Sequence, residues 1–274
     1  MKRPPILYAL KRSFEILSES PHKILFILNP YAAMCRFNSL LTEGQRKNFT
    51  KGEYFALKNR QLKEFMSDKW SKDASGLSRK SYACYDEYLT HQKEKLNDMG
   101  GEAFINRTRA LLRFRNRFVD AGLAPKSSVI CLAARRGEEV EALRHLGHFA
   151  FGIDLNPGID NKYVVTGDFH NLDYPDACVD CVYTNCLDHS FDIDLILKEV
   201  SRVLKPGGIF LVDILYGYEE GYTVGDHDTM HWPTALEFAN YLCRNDKFKL
   251  QTFRDLKDFD SKDWYQALLK KFYN

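Results

Sequence analysis

The feature that most constrains the fold is a series of apolar segments between residues 129 and 213, each ending in a turn or a polar residue. Helical segments at residues 138–146 and 192–204 separate some of these segments. Apolar strands that alternate with helices form a parallel sheet, and ligands bind beyond the carboxyl ends of its strands. The pattern therefore predicts a doubly wound α/β domain that binds a nucleoside-bearing cofactor. The predicted strands are residues 129–133, 150–155, 163–166, 179–184 and 209–215.

Two late apolar segments extend this domain. After a long polar and aromatic loop at residues 216–232, Pro233 opens a predicted helix that reaches about Cys243. Residues 248–256 and 264–271 are then strand candidates. The second could instead form a terminal helix, because Ala-Leu-Leu-Lys at 267–270 favours one.

The first 120 residues differ from the rest in charge and in pattern. They hold 23 Lys and Arg against 13 Asp and Glu, a net charge of +10, whereas the remainder holds 16 against 24, a net charge of −8. We expect a helical, basic N-terminal cap or substrate region at residues 1–120 and a cofactor-binding domain at 121–274. The basic region either faces an acidic partner, such as a phosphorylated glycan, an anionic membrane surface or nucleic acid, or is a solvated helical surface.

The clearest helix of this region is predicted at residues 101–119. Apolar residues recur there every seven positions and form one stripe that would pack on the sheet. Four arginines lie off the stripe and are expected on a solvated face. The stripe comprises Phe104, Ile105, Leu111, Leu112, Phe118 and Val119, and the arginines are Arg107, Arg109, Arg113 and Arg117.

The cysteines and the hydropathy limit the cellular setting. Seven cysteines, several within apolar patterns, indicate free thiols in a reducing compartment, so we expect a cytoplasmic protein. Cys178 and Cys181 have the spacing of a metal or redox pair, but no second pair stands at metal-site spacing, and no metal is expected. No apolar run reaches the roughly 20 residues that span a bilayer. Residues 24–34 are apolar but interrupted, and two interpretations remain: a buried segment or an interfacial one.

Acidic residues follow two neighbouring strands where a nucleoside would lie. Asp154 ends the second strand, where a carboxylate can accept hydrogen bonds from both ribose hydroxyls, although it could also cap the turn that follows. Asp168 ends the third strand, where a carboxylate can accept from an adenine amino group. Phe169 offers an apolar wall for the base.

These motifs resemble those of class I S-adenosylmethionine-dependent methyltransferases of the type-11-like group. The resemblance implies a Rossmann-like, mostly parallel seven-stranded sheet whose last strand is antiparallel, with S-adenosyl-L-methionine as cofactor. The motifs are the loop at residues 129–137, Gly-Ile-Asp-Leu at 152–155, Gly-Asp-Phe at 167–169, residues 180–189, and Glu-Val-Ser-Arg-Val-Leu-Lys-Pro-Gly-Gly at 199–208. The positions that would bind the cofactor are Gln92, Ala133, Arg135, Gly137, Asp154, Leu155, Gly167, Asp168, Phe169 and Asn185.

The first loop departs from the family pattern. The family usually has an acid at Cys131 and glycines at Ala133 and Arg135, and only Gly137 is kept. Either Arg135 or Arg136 pairs with the methionyl carboxylate of the cofactor, or the cofactor site has decayed. The missing acid would have served the ammonium end. A nicotinamide-linked oxidoreductase would need a fuller glycine fingerprint.

The acceptor side is predicted from acids and histidines in two loops. Asp188 and His189 follow the fourth strand, and His189 is suited to act as a general base. His227 and His231, in the loop after the fifth strand, are expected to contact substrate; their spacing also fits a metal pair, but no predicted helix supports it. We expect O-methylation of a sugar hydroxyl, a surface polysaccharide or a small metabolite. The alternative is a catalytically inactive cofactor-binding or scaffold module.

Overall fold

The protein is described by a computed structural model that covers residues 51–98, 107–256 and 264–273. The chain divides into two compact units, Met1–Ser67 and Asp68–Asn274. Of the first unit, helix α1 (Lys51–Phe65) is described. The second unit contains residues 68–120 together with the sheet, whereas the sequence-based division grouped them with the N-terminal region.

A seven-stranded sheet forms the centre of the second unit. Its order is β5-β4-β3-β6-β7-β10-β9. Pairing is parallel from β5 to β7, and β10 runs antiparallel to both β7 and β9. This confirms the predicted fold class, including the antiparallel last strand. The strands are β3 (Ser128–Leu132), β4 (Phe149–Asp154), β5 (Val164–Thr166), β6 (Val179–Thr184), β7 (Leu204–Leu215), β9 (Phe248–Asp255) and β10 (Trp264–Lys271).

Trp264–Lys271 is a strand, although its Ala-Leu-Leu-Lys run favours a helix. It pairs on both sides, and Ala267 and Leu269 are fully buried. The hydrogen bonds and apolar burial of a central strand outweigh a helix propensity of a few tenths of a kcal/mol per residue (roughly 0 to 0.7).

Helices cover both faces of the sheet. Helix α5 (Ile193–Val203) is capped by Asp192, whose side chain accepts hydrogen bonds from the backbone N–H groups of Asp194 and Leu195. The apolar residues Ile196 and Val200 of this helix are fully buried. These burials fix α5 against the sheet. The helices are α2 (Tyr85–Asp98), α3 (Arg107–Val119), α4 (Glu138–His145), α5 (Ile193–Val203) and α6 (Ala235–Leu242).

A second, three-stranded sheet joins distant parts of the unit. It comprises β1 (Trp70–Lys72), β2 (Ser78–Lys80) and β8 (Met230–His231), in the order β1-β2-β8. Because β2 pairs with β8, residues that precede α2 are attached to the loop that follows β7. A short 3-10 helix, Leu187–His189, follows β6.

Helix α3 packs on the sheet as predicted, but only part of the predicted stripe, Leu111 and Phe118, contributes to that contact. Phe114 and Phe118 are buried, whereas Leu112 and Val119 are 51% and 56% exposed. A helix makes one turn every 3.6 residues, so Phe114 and Phe118, four residues apart, lie on the same face and pack on the sheet. Leu112 and Val119 lie on a neighbouring face, which is exposed to solvent. Residues Phe104 and Ile105 lie outside the described residues.

Arg117 is a correction to the expected solvated arginine face. Its side chain is 4% exposed, and Nη1 lies 2.7 Å from Asp213 Oδ2. Tyr183 donates to the same oxygen, and Gln266 donates to the other. Burial opposes the charged guanidinium, but Asp213 and its hydrogen bond raise the pKa of Arg117. A buried arginine is stable here because a carboxylate and two further donors complete the site.

Among the described residues, no helix is long and apolar enough to cross a membrane.

Candidate cofactor and acceptor site

A cleft opens at the carboxyl ends of the parallel strands, where the sequence predicts the site. It encloses about 520 Å3 of empty space, open to solvent. The lining residues come from α2, the β3–α4 loop, and the segments after β4, β5 and β6: Tyr88, Gln92, Ala133, Arg135, Asp154, Leu155, Asn156, Phe169, Cys186 and His189.

The β3–α4 loop keeps the left-handed backbone that the family pattern builds with glycine. Ala133 has φ of 54° and Arg135 has φ of 40°. This conformation costs a non-glycine residue about 1–2 kcal/mol. Gly137 has φ of 78°, and a Cβ there would lie 2.9 Å from Val164 Cγ2. Glycine is thus retained where a side chain would clash, and replaced where the backbone strain is tolerated.

Asp154 is one of the residues that line the cleft. Its Oδ2 accepts from the backbone N–H of Arg135 at 2.9 Å, and its Oδ1 accepts from that of Asn156 at 2.8 Å. These two bonds fix the carboxylate and the β3–α4 loop against each other. Each oxygen retains a second lone pair, so a ribose can still donate to the carboxylate.

Asp168 is held by protein groups on both oxygens. The Tyr85 hydroxyl donates to Oδ2, and the backbone N–H of His170 donates to Oδ1 at 2.9 Å. His170 Nε2 accepts from the backbone N–H groups of Phe191 and Asp192, so its proton is on Nδ1, which lies 2.9 Å from Asp168 Oδ1. Burial opposes ionisation, but the bonds from His170 and Tyr85 lower the pKa of Asp168. The expected adenine acceptor is therefore already engaged.

The other predicted cofactor residues divide into two groups. Those that line the cleft are Gln92, Ala133, Arg135, Asp154, Leu155 and Phe169. The remainder lie behind the lining. Gly137 precedes α4, the Gly167 N–H donates to the Asp154 carbonyl at 2.9 Å, and Asn185 Oδ1 accepts from the Cys186 thiol at 3.0 Å.

Helix α2 forms one side of the cleft and is held there by long-range hydrogen bonds. The Tyr88 hydroxyl donates to the His189 carbonyl at 2.9 Å, and Gln92 Nε2 donates to the His227 carbonyl at 2.9 Å. His91 Nε2 donates to the Asp226 carbonyl at 3.0 Å. These bonds join α2 to the segment after β6 and to the loop after β7.

Asp188 and His189, the predicted catalytic pair, are side by side. Asp188 Oδ2 lies 3.3 Å from His189 Nε2, and Asp188 is buried while His189 lines the cleft. His189 Nδ1 lies 2.8 Å from the His227 carbonyl, which can only accept, so Nδ1 carries a proton. Nε2 lies next to the Asp188 carboxylate, so a proton that the imidazole takes up at Nε2 would be stabilised by that negative charge.

A third group completes this cluster. Asp228 Oδ1 lies 3.7 Å from His189 Nδ1. One ligand atom from each of Asp188, His189 and Asp228 lies within 4.8 Å of the others, a spacing that a metal ion could bridge. Hydrogen bonds already engage several of these atoms, including Asp228 Oδ2, which accepts from the Gly225 N–H at 2.6 Å.

The two histidines of the loop after β7 have different positions. His227 stacks on His91, with ring centroids 5.1 Å apart, next to the α2 bonds. His231 is a correction, because it belongs to β8, is 2% exposed and does not line the cleft. Burial outweighs its hydrogen bond to the Tyr222 carbonyl and lowers the pKa of His231 to about 4.

Sequence reasoning missed three residues that line the cleft. They are Tyr88 on α2, Cys186 in the segment after β6, and Asn156, which follows Asp154 in the same turn. The position of Asn156 after the strand-end acid was a usable signal. Tyr88 carried no signal, because its place in the cleft depends on how α2 packs.

The comparisons with known proteins agree with this architecture. A family model described as a methyltransferase domain matches residues 130–212. A methyltransferase of Burkholderia thailandensis that acts on 1,6-didemethyltoxoflavin, solved with S-adenosylhomocysteine, superposes with a TM-score of 0.57 at 17% identity. The match covers 75% of this chain and all of that one. A SAM-dependent methyltransferase of Thermotoga maritima has a TM-score of 0.51 at 16% identity, over 67% of this chain and 99% of that one.

Curated relatives match over shorter stretches. A sterol 24-C-methyltransferase of Yarrowia lipolytica is 30% identical over 128 residues, and one of Eremothecium gossypii is 44% identical over 54 residues. These matches cover 40% and 19% of this chain. The chain spans 32% and 14% of the length of these two relatives.

The sheet order and the strand-end cleft define a class I methyltransferase fold. Residues 130–212 match the model of the methyltransferase domain, which agrees with this fold and with S-adenosylmethionine as the cofactor. The predicted resemblance is thereby confirmed.

Proposed function

We propose that this protein binds S-adenosylmethionine in the strand-end cleft and transfers its methyl group to a hydroxyl of a polar small molecule or glycan. One observation carries the proposal. The cleft brings the strand-end carboxylate of Asp154 and the Asp188–His189 pair to one cavity. The Asp154 carboxylate is suited to bind a nucleoside, and the Asp188–His189 pair is suited to accept a proton.

The cofactor would lie along the strand ends. Asp154 has free lone pairs for the two ribose hydroxyls, and Phe169 offers an apolar surface for the adenine. The Arg135 side chain is suited to the methionyl carboxylate, because a guanidinium can donate two parallel hydrogen bonds to a carboxylate. The left-handed backbone of Arg135 supports this role. Glycine at position 135 would relieve the backbone strain, but it would also remove the guanidinium charge.

Methyl transfer needs a nucleophile in line with the bond between sulfur and the methyl carbon. An acceptor oxygen attacks that carbon, the carbon–sulfur bond breaks with its electrons on sulfur, and S-adenosylhomocysteine leaves. The hydroxyl proton passes to the Asp188–His189 pair, with Asp228 on the far side of the imidazole. General-base assistance of this kind contributes about 10²- to 10⁴-fold in rate.

The acceptor side of the cleft favours a polar substrate. Gln92 and His189 line that side with amide and imidazole groups, which hydrogen-bond sugar-like hydroxyls. The curated relatives act on sterols by name, and a sterol would need an apolar groove in their place. Sterol methylation is therefore the competing outcome.

The test is methyl transfer from S-adenosylmethionine labelled on the methyl group. The full chain is incubated with monosaccharides, nucleotide sugars, polysaccharide fragments and sterols, and products are separated by mass. We expect an oxygen-methylated polar product and equal amounts of S-adenosylhomocysteine. Methylation of sterol carbon alone would overturn the acceptor assignment, and absence of cofactor binding would overturn the whole proposal.

A matched pair of variants controls for contaminating activity. Asp188→Asn should lose transfer while it keeps cofactor binding, because its neutral amide cannot share the proton with His189. Asp192→Asn, which keeps the cap of α5, should retain transfer, since Asp192 contacts backbone N–H groups of its own helix.

A further inference from the structure

We infer that Asn161, in the connection between β4 and β5, is a positioning residue that holds the Arg135 guanidinium at the methionyl end of the cofactor. Asn161 would thereby set the preference of the cleft for S-adenosylmethionine over decarboxylated S-adenosylmethionine. This role rests on the proposed function, because it assumes that the cofactor binds in the cleft and that Arg135 pairs with the methionyl carboxylate.

The connection between β4 and β5 is held together by a side chain. Adjacent parallel strands are usually joined through a helix, but residues 155–163 form turns and contain no helix. Asn161 Oδ1 accepts from the backbone N–H groups of Tyr163 and Val164, both at 3.1 Å. Asn161 Nδ2 donates to the Pro157 carbonyl at 3.0 Å. These three bonds make the Asn161 side chain a fixed part of the turn.

The fourth hydrogen bond of Asn161 leaves this connection. Its Nδ2 also donates to the Arg135 carbonyl at 2.9 Å, across 26 residues of sequence. An asparagine amide has two donor protons and two acceptor lone pairs, so all four are engaged here. A reversed amide would face the N–H groups of Tyr163 and Val164 with its own N–H groups, and the hydrogen bonds therefore fix Nδ2 toward Arg135.

The backbone of Arg135 is held on both sides of its Cα. Its N–H donates to Asp154 Oδ2 at 2.9 Å, and its carbonyl accepts from Asn161. Its φ of 40° is left-handed, a conformation that a non-glycine residue keeps only where its surroundings impose it. Because each peptide unit is planar, the two bonds fix the planes before and after Cα. They thereby fix the direction in which the Arg135 side chain leaves the backbone.

This direction decides whether the guanidinium can pair with the cofactor. Arg135 lines the cleft, and two parallel hydrogen bonds between a guanidinium and a carboxylate require both groups in a defined orientation. Without the Asn161 bond, Arg135 would relax from its left-handed conformation, and the guanidinium would lose that orientation. Decarboxylated S-adenosylmethionine has no carboxylate to pair, so its binding should not depend on Asn161.

Two variants remove the bond to Arg135 and keep the local turn. Aspartate and serine side chains can accept from backbone N–H groups further along the chain, as Asn161 does. Asn161→Asp replaces the N–H donors by an oxygen, and Asn161→Ser has a shorter side chain. The serine adds no charge near the cofactor, so a loss shared by both variants is not a charge effect. Asp160→Asn is the matched control, because Asp160 is the exposed neighbour of Asn161.

The measurement is calorimetric titration of the full chain with S-adenosylmethionine and with decarboxylated S-adenosylmethionine. Asn161→Asp should bind S-adenosylmethionine about tenfold more weakly than the wild type, and Asn161→Ser about fivefold more weakly. Both variants should bind the decarboxylated ligand within about twofold of the wild type. Asp160→Asn should match the wild type for both ligands. Thermal unfolding checks that each variant is folded, and Asn161→Ser carries the comparison if Asn161→Asp does not fold.

Arg135→Gly distinguishes positioning from packing. Changes that act on one contact are not additive, whereas independent changes add. In the Arg135→Gly background, Asn161→Asp and Asn161→Ser should therefore weaken S-adenosylmethionine binding by less than about twofold.

Three results would overturn the inference. Unchanged affinities in both Asn161 variants would show that the bond is not needed. Equal losses for both ligands would assign Asn161 to packing of the whole cleft. An equal loss with and without the Arg135 side chain would show that Asn161 acts through another group. In all three cases the wild type still binds the cofactor, so the proposed function would stand.

Discussion

The two sides of the cleft are built in different ways. After the roles proposed for them, we call Ala133, Arg135, Asp154, Leu155 and Phe169 the cofactor wall, and Tyr88, Gln92 and His189, with His227 bonded to Gln92, the acceptor wall. In the cofactor wall, Asp154 accepts from backbone groups 19 and 2 residues away. The bonds that join the acceptor wall span 101 and 135 residues.

This difference teaches how the site is assembled. Parallel strands place their carboxyl ends side by side, so the cofactor wall forms whenever the sheet forms. The acceptor wall forms only when α2 docks on two separate loops through individual hydrogen bonds, each with a net contribution of about 1 kcal/mol. We therefore expect the acceptor wall to open more easily than the cofactor wall.

Asp154→Ala should have the largest effect and should break the cofactor wall. It removes the acceptor for two ribose hydroxyls, and hydrogen bonds to a charged group contribute about 1.5–3 kcal/mol each. Affinity for S-adenosylmethionine should fall at least about 100-fold in calorimetric titration. Asp160→Asn, an exposed acid in the same connection, should bind normally. Unchanged affinity in Asp154→Ala would reject its ribose role.

His189→Ala should separate chemistry from cofactor binding. Loss of the proton acceptor should slow single-turnover methyl transfer by about 10²- to 10⁴-fold. Affinity for S-adenosylhomocysteine should change less than about threefold, since the cofactor wall is intact. A normal transfer rate would show that the proton leaves by another route.

Acid should weaken the part of the molecule that carries β8 first. The pKa of His231 is lowered to about 4 by burial, while an exposed histidine titrates near 6.5. The unfolded chain therefore takes up the proton first, and stability that is complete above about pH 6.5 is lost as pH falls toward 4. The loss attributable to His231 is roughly 3 kcal/mol. Urea unfolding at pH 7.5 and 4.5 measures it.

The variant His231→Gln provides the comparison for that experiment. It keeps a donor for the Tyr222 carbonyl but cannot take up a proton in this range. The difference in unfolding free energy between the two pH values should shrink by roughly 3 kcal/mol. An unchanged difference would mean that other groups control the acid response.

Gln92→Leu should loosen the acceptor wall alone, with the smallest effect. Removal of the bond from Gln92 to the His227 carbonyl should raise the KM for the acceptor by about fivefold, the equivalent of about 1 kcal/mol. Amide hydrogen exchange at residues 224–229 should accelerate. Lys93→Ala, an exposed change on the same helix, should alter neither quantity. Weaker cofactor binding in Gln92→Leu would instead assign Gln92 to the cofactor.

The sequence predicted the sheet and most of the cofactor wall because both depend on local patterns. Apolar strands, strand-end acids and the run at residues 199–208 can each be recognised without knowledge of the packing. The predictions were weaker where packing decides. The burial of Arg117 requires Asp213, 96 residues away, and the burial of His231 requires its pairing with Ser78 across the small sheet.

Asp168, which precedes Phe169 of the cofactor wall, illustrates the same limit. Its position after β5 was predicted correctly, but its partners Tyr85 and His170 were not. Tyr85 lies 83 residues away on α2, so no local pattern could indicate that the carboxylate is already engaged.

The central claim is that the Arg135 side chain binds the cofactor's carboxylate at the cost of a strained backbone. Arg135→Gly tests it most directly, because glycine removes the side chain and relieves a φ of 40°. The affinities of wild type and variant are measured for S-adenosylmethionine and for its decarboxylated analogue. We expect the variant to bind S-adenosylmethionine about tenfold more weakly, to bind the analogue normally, and to gain about 1 kcal/mol of stability. Equal losses for both ligands, or tighter binding of S-adenosylmethionine, would contradict the account.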